Sequence, residues 1–362
     1  MRVLIIFNHP APYKVSSFNE LAKYVDLTVL FERNKAGDRP DSFYSNNEYN
    51  FKHIILDKGY VGAEGSVSSE VRKYIKDNHQ DYDVIIMNGY SHSAEIKAIK
   101  YMSRKHIKFG LLINGGVIRK REFCLKKAYK KSLIKKADYY ISPSKESNKY
   151  LEYYGANPER IYNYFYSNYS KADISSASKQ EKIELRKKFD LPLDKKVFIN
   201  PSQFIDRKNN IFLMSFFKNR EDILLLVGSG VLEDEYKQYV KDNNLTNVRI
   251  LPFMEKKDLF ELYMACDAHI TLSKEDIFGH TVLESFSNGV PVISSNKVIS
   301  SLEYIKNGYN GFLVDNSKPE EIVKALDNIN PSMCKNALES AYQNTFENTA
   351  LSIYEILKKL YE

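Results

Sequence analysis

The chain has no tryptophan and only three cysteines, Cys124, Cys266 and Cys334. None shares a C-x-x-C spacing and the count is odd, so neither a disulfide scaffold nor a structural zinc centre is expected. No stretch of about 18 uncharged apolar residues occurs, which is the least that spans a bilayer. The apolar run from Arg2 to Phe7 is cut off by Asn8 and His9. That is too short for a signal-peptide core, and a soluble, intracellular protein is expected. H-E-x-x-H and Cys/His clusters are absent as well. A nicotinamide-binding loop would need G-x-G-x-x-G after a strand. Gly228-Ser-Gly230 has Glu233 where the third glycine belongs, and no such loop follows Arg2–Phe7, which argues against a dehydrogenase.

What is present is an ordinary globular balance: 362 residues, 43% hydrophobic and 27% charged. At the usual size this makes about two domains. The net charge of +7 is unevenly placed. Residues 101–150 hold 14 basic and 3 acidic side chains, whereas residues 251–362 hold 10 and 16. The basic window centres on Arg119 to Lys136. At helical period, Leu125, Tyr129, Leu133 and Ala137 form an apolar stripe with Lys126, Lys127, Lys130 and Lys131 roughly opposite. A basic amphipathic helix of this kind suits an anionic membrane surface. No nucleic-acid-binding module accompanies the charge, so nucleic acid is not an expected partner.

Two blocks of alternating strand and helix follow one another. In the first, Arg2–Phe7, Asp26–Phe31, Asp83–Met87, Phe109–Ile113 and Tyr139–Ile141 read as strands. In the second, Val197–Asn200, Ile223–Val227, Val248–Leu251, Ala268–Leu272, Val290–Ser294 and Gly311–Val314 do. This is the rhythm of two α/β domains with doubly wound parallel sheets. The polar segment Tyr162–Gln180 between them reads as a connector. Ligands of such sheets gather at the carboxyl ends of the strands, so a cleft between two Rossmann-like domains is the expected binding place.

The most informative segment runs from Thr271 to Ser294. A strand ends near Leu272, and a loop with Gly279 allows close approach of the backbone to a ligand. A helix then opens near His280 and Thr281, its free N–H groups and positive dipole end suited to a phosphate. Glu284 lies about one turn into that helix, a carboxylate suited to the two hydroxyls of a ribose. Asp276 on the loop suits sugar hydroxyls. Gly289 and Pro291 close the helix.

With Asp276-x7-Glu284, Phe278-Gly279 inside it and Gly289-Val-Pro291 after it, the sequence resembles the family 4 glycosyltransferases of the GT-B fold. The family's first acid is usually Glu, and Asp276 departs from it. Ser202 to Lys208 resembles the family segment whose basic residues hold the donor diphosphate. Lys208 matches the lysine, Gln203 stands where the arginine belongs, and Arg207 is the compensating candidate. Leu226 to Gly230, with Gly228, and Val248 to Met254, with Phe253 and Met254, resemble the strand ends that meet the nucleotide. In the first half, Asn8 to Lys14 resembles a variant opening of the family, with His9 and Tyr13 facing the acceptor. Asn114, followed by Gly115 and Gly116, falls where many members carry a histidine. His92 follows another strand end, and Arg119 lies close behind.

The resemblance implies a retaining glycosyltransferase that moves a sugar from a nucleotide-diphosphate donor, with UDP favoured. The acceptor would be a saccharide or lipid-linked saccharide in surface polysaccharide synthesis, at the inner face of the cell membrane. It implies Asp276, Glu284, Lys208 and Asn114 as catalytic residues. Arg207, Gly228, Phe253, Met254, Ile277, Phe278, Gly279, His280 and Thr281 would complete the donor site. His9, Tyr13, His92, Gly115 and Arg119 would serve the acceptor. Fixed cations and helix N–H groups can stabilise a leaving diphosphate, so no metal or other cofactor is expected. Asp81-Tyr-Asp83 has the form of a metal-binding D-x-D but sits before a strand. The implied domains are 1–165, a linker 166–180, 181–344, and a last helix 345–362 crossing back to the first domain. Two other readings stay open: a non-catalytic relative that binds a partner or lipid, and a sugar-nucleotide epimerase.

Overall fold

The computed structural model describes residues 1–37, 41–44, 47–61, 67–119 and 121–361. It divides the chain into two compact units: one of Met1–Asn168 with Thr345–Glu362, the other of Tyr169–Asn344.

The first unit is built on seven strands: β1 (Arg2–Phe7), β2 (Asp26–Ala36), β3 (Lys52–Val61), β4 (Val84–Asn88), β5 (Gly110–Leu112), β6 (Tyr139–Ser142) and β7 (Ile161–Asn163). They form one sheet in the order β3-β2-β1-β4-β5-β6-β7. The pairings are parallel, with Val3 opposite Val84 and Leu27. Val3, Leu4, Ile5 and Ile6 are buried completely, as a central strand covered on both faces must be. The two strands that the residue pattern did not reveal, β3 and β7, are the sheet's edges. Ile55 of β3 is exposed and the residues of β7 are no more than half-buried, so neither shows a continuous apolar run.

The second unit repeats the design with β8 (Val197–Pro201), β9 (Ile223–Val227), β10 (Val248–Leu251), β11 (Ala268–Thr271), β12 (Val292–Ser295) and β13 (Gly311–Val314). Their order is β10-β9-β8-β11-β12-β13, again parallel. One face packs Phe198, Leu224, Leu226 and Ile270 with helix residues such as Leu213 and Phe217. The other packs Val197, Ile199 and Leu225 with Leu262 and Tyr263. Each fully buried aliphatic or aromatic side chain contributes about 1.5–3 kcal/mol.

The segment 166–180, expected to be a linker, is divided between the two units. Its tyrosines decide this, because they are large enough to anchor the chain wherever they are buried. Tyr166 is buried in the first unit, whereas Tyr169 is buried in the second and donates its hydroxyl to Ala341 O at 2.9 Å. The helix Lys179–Lys188 that follows is fastened by Arg186, whose guanidinium donates to Ala265 O, Pro192 O and Lys195 O and pairs with Asp267 at 2.5 Å. Asp267 also accepts from Lys182 Nζ and the Val197 amide. The last helix, Phe346–Tyr361, belongs to the first unit and packs on the helix Pro12–Leu21, with Tyr24 and Tyr354 stacked at 5.2 Å. Asp83 bonds the amide and guanidinium of Arg2, and this bonding holds its carboxyl at about 2; here the D-x-D sequence pins β1 beside β4.

Replacing Asp267 with Ala leaves the Arg186 guanidinium buried without its carboxylate. The expected loss is about 3 kcal/mol of stability in the second unit, measured by urea unfolding.

Candidate functional site

In the second unit, four loops at the carboxyl ends of the strands carry the residues expected at the donor. After β8 the chain makes a tight turn, Asp206–Lys208, closed by Asn209 in the left-handed conformation at φ 59°. Asn209 Nδ2 reaches across to Leu272 O at 3.0 Å, and the Lys274 amide donates to Arg207 O at 2.8 Å, so the loops after β8 and β11 are stitched together. This places Lys208 Nζ 2.5 Å from Asp276 Oδ2, with Arg207 Nη1 3.6 Å from the same oxygen. Burial pushes the Asp276 carboxyl up, but Lys208 outweighs it and the group lies below its ordinary range. Both partners are largely buried, and this is a charge-assisted bond with a defined geometry. Asp276, read as an acceptor for sugar hydroxyls, is thus bonded to the lysine expected at the diphosphate.

The loop from Asp276 to Gly279 lies against residues 297–300: the Asp276 amide donates to Lys297 O at 3.0 Å, and the Ser300 amide to Phe278 O at 2.7 Å. Gly279 turns the chain at φ 89°, where a Cβ would stand 2.4 Å from Val298 Cγ1. Only glycine fits there. The helix His280–Ser287 starts at this glycine, which has no side chain to cap the first N–H groups. These donors are the feature that suits an anion. Glu284 lies four positions into the helix on the His280 face, half-buried. Phe278 is buried, with its ring 5.0 Å from that of His280, while Ile277 and Phe253 are exposed. Met254 packs partly into the core around Leu262. Gly228 ends β9 at φ 147°, and a Cβ there would meet Ser202 O at 2.1 Å, so the glycine serves the packing of two strand ends.

In the first unit, Asn114 follows β5 and is held on three sides. Lys14 Nζ donates to Asn114 Oδ1 at 2.8 Å, the Tyr164 hydroxyl approaches the same oxygen at 3.4 Å, and Asn114 Nδ2 donates to Asn88 Oδ1 at 3.0 Å. His9 follows β1, its Nδ1 3.1 Å from the Tyr44 hydroxyl. Tyr13 is half-buried, with its ring 5.9 Å from Lys14 Nζ. His92 caps the helix Ser93–Arg104: its amide donates to the buried Glu95 carboxylate at 3.0 Å, which is a structural task. Gly115 takes φ 140°. Gly116 is covered: a Cβ there would stand 2.5 Å from the Tyr150 ring. Arg119 is exposed. Lys14 and Asn88 escaped the sequence reading. Their signal was Lys14 sharing a helix face with Phe18 and Leu21, a position where an apolar residue belongs.

The basic helix spans Cys124–Ile134, but its faces differ from the expected ones. Leu133 is buried with Ile134, whereas Leu125 and Tyr129 are 73% and 43% exposed. Lys130 instead turns inward to Glu122 at 2.6 Å, and Lys127 lies 3.8 Å over the Tyr153 ring. Tyrosines 153 and 154 favour lysine stems and cations over aliphatic side chains, and this rotates the helix. Lys126 and Lys131 stay exposed, as do Phe123 and Leu125. Lys120 lies outside the described residues. Among the described residues no helix is long and apolar enough to cross a membrane, and no group of three or more His, Cys, Asp or Glu is placed to hold a metal ion.

Two wound parallel sheets, the second ending in an uncapped helix start beside a lysine–aspartate pair, define the GT-B class of α/β protein. Residues 181–343 match the family model of glycosyl transferases group 1. Over 163 residues the chain is 22% identical to an uncharacterized glycosyltransferase of Methanocaldococcus jannaschii, covering 43% of this chain and 46% of that protein. It is 26% identical over 146 residues to the lipopolysaccharide core biosynthesis glycosyltransferase LpsE of Rhizobium meliloti, 40% of this chain and 42% of that protein. The matched part is thus less than half the length of these curated relatives. In fold the chain is similar to Anabaena HepE, solved in complex with UDP, with a TM-score of 0.78 over 99% of this chain and 100% of that one, at 16% identity.

Replacing Gly279 with Ala forces a side chain into the left-handed region and against Val298. A loss of about 2 kcal/mol is expected from the strain, read as a lower melting temperature.

Proposed function

We propose that the chain is a retaining glycosyltransferase that moves a sugar from a nucleotide-diphosphate donor, UDP-linked, to a saccharide or lipid-linked saccharide in surface glycan synthesis. The observation that carries this reading is the Lys208–Asp276 pair beside the open start of the helix His280–Ser287, inside the segment matching the group 1 family. The UDP preference draws on the UDP complex of HepE and the glycan setting on LpsE.

The chemistry asks for two things. The bond between the anomeric carbon and the diphosphate oxygen breaks, so charge builds on the leaving phosphate and on the sugar ring. The acceptor oxygen then bonds the same face of that carbon and gives up its proton. Lys208, Arg207 and the N–H groups after Gly279 stabilise the leaving phosphate, and being held in place beforehand they need no reorganisation as charge develops. Asp276 keeps Lys208 in position, so the donor meets an ammonium already oriented, and with Lys208 neutralised by the carboxylate the surplus positive charge comes from Arg207 and the helix start. Glu284 takes the ribose hydroxyls. Phe253, Ile277 and Phe278 shape the surround of base and sugar. Asn114, with His9 and Tyr13, serves the acceptor from the first unit, and no metal takes part.

The exposed face of the basic helix supports a peripheral place on an anionic membrane. Phe123 and Leu125, each 73% exposed, share this segment with the exposed Lys126 and Lys131. Apolar side chains next to lysines suit the boundary between headgroups and acyl chains.

Two outcomes test this. Glu284→Ala abolishes release of UDP from a UDP-sugar while melting like the parent; near-normal turnover removes the donor-site assignment. Changing the exposed Lys126 and Lys131 to Glu releases the protein from vesicles containing anionic lipid, and unchanged co-sedimentation refutes the membrane docking.

A further inference from the structure

Lys14 has a location that is hard to explain by folding alone. It lies on the helix Pro12–Leu21, and its side chain is buried, with 5% of the residue exposed. No carboxylate among the described residues pairs with it. Its Nζ stands 4.0 Å from the ring centre of Tyr166, 5.5 Å from that of Phe7 and 5.9 Å from that of Tyr13, and its one hydrogen-bond acceptor among the described residues is Asn114 Oδ1. Burying a charge with no opposite charge is costly, and a methionine would fill the same space without that cost. Something other than stability has to account for the amine.

Its partner suggests what that is. The Asn114 carboxamide is gripped at both ends, by Lys14 and Tyr164 at the oxygen and by Asn88 at the nitrogen. An amide nitrogen has two N–H donors. Asn88 takes one, and the other has no partner among the described residues. A cation at the amide oxygen draws density from the nitrogen and strengthens that remaining donor.

We propose that Lys14 is a positioning residue of the acceptor site: its ammonium holds and polarises the Asn114 carboxamide so that the spare N–H is presented to an acceptor hydroxyl. This rests on the transferase reading above. The aromatic surround makes the arrangement sensitive to protonation. Burial lowers the Lys14 amine from its ordinary 10.5 to about 7. The groups facing it are Phe7 from β1, Tyr13 on its own helix, Asn114 after β5, and Tyr166 after β7, with Tyr164 behind Asn114. Burial raises Tyr166 well above its usual range, so it stays neutral while Lys14 titrates.

The sign of the stability effect separates this role from a structural one. Between about pH 7 and 10.5 the unfolded chain holds a proton on Lys14 that the folded chain has lost, so stability rises with pH across that window. Lys14→Met should therefore melt higher than the parent, by about 2–4 °C per kcal/mol gained. The gain should be largest below pH 7 and fade towards pH 10.5. The same variant should lose function. With UDP-glucose as donor and octyl glucoside as a surrogate acceptor, its kcat should fall roughly 10- to 100-fold, the span of a lost charge-assisted hydrogen bond. The KM for UDP-glucose should stay within about twofold, because the lost bond lies at the acceptor. Lys14→Gln, which keeps a neutral donor, should recover part of kcat. Lys14→Met combined with Asn114→Ala should be no slower than Asn114→Ala alone, because the lysine acts through the asparagine. A higher melting temperature with lost turnover supports the proposal. Unchanged kcat, a lower melting temperature with lost kcat, or additive losses overturn it. NMR of the full chain supplies an arm free of turnover: the Lys14 ε-carbon and the Asn114 side-chain amide should titrate with one midpoint near 7, and separate midpoints overturn the coupling. Should the parent release no UDP with any sugar nucleotide tried while that shared midpoint is found, the transferase reading fails and the Lys14–Asn114 coupling stands.

Discussion

An ammonium and a carboxylate lying 68 positions apart in the chain, Lys208 and Asp276, meet at 2.5 Å, and the loops at the carboxyl ends of the second sheet are organised around that meeting. Neither group would stay in a largely buried place alone. The lysine would lose its charge or seek water, and the aspartate would be pushed up by burial. Together they tie the loop after β8 to the loop after β11, and the second loop leads directly into the glycine that opens the helix at His280. The pairing therefore also sets the direction of the backbone N–H groups. An anion arriving there meets a cation held at a known distance and a helix start with no side-chain cap.

The first unit solves a related problem with opposite means. Its buried cation has aromatic rings and amides for company in place of a carboxylate. The Lys208 ammonium has an opposite charge beside it, whereas burial among Phe7, Tyr13 and Tyr166 lowers the Lys14 amine from its ordinary range. Two lysines at the carboxyl ends of two similar sheets thus end up with different chemistry, and the difference lies in what surrounds them.

Central strands were legible because they are buried on both faces: Arg2–Phe7 and Ile223–Val227 carry the same bounds in sequence and structure, as do two edge strands of the second sheet, Val248–Leu251 and Gly311–Val314, whose short, mostly apolar runs are sharply bounded. The edges β3 and β7 were not, since a half-exposed strand has no continuous apolar run to show. Gly279 and the helix behind it were legible because a positive φ and an uncapped start leave a glycine in a recognisable place. The faces of the helix Cys124–Ile134 were misread for a physical reason. Periodicity reports which residues share a side, and it cannot say that Tyr153 and Tyr154 will draw Lys127 and Lys130 inward at the expense of Leu125 and Tyr129. The tyrosines of 166–180 hid a boundary in the same way, since a polar composition masked the large buried rings of Tyr166 and Tyr169.

The helix Phe346–Tyr361 belongs to the unit that begins at Met1, so the second unit is, in covalent terms, an insertion into the first. A ribosome delivers the inserted piece whole before it delivers the helix that covers Pro12–Leu21. During synthesis the earlier sheet must wait, with that flank bare, until Phe346, Ile353 and Leu357 arrive to cover it. The order of manufacture and the order of completion are thereby reversed: the half made first is the half finished last.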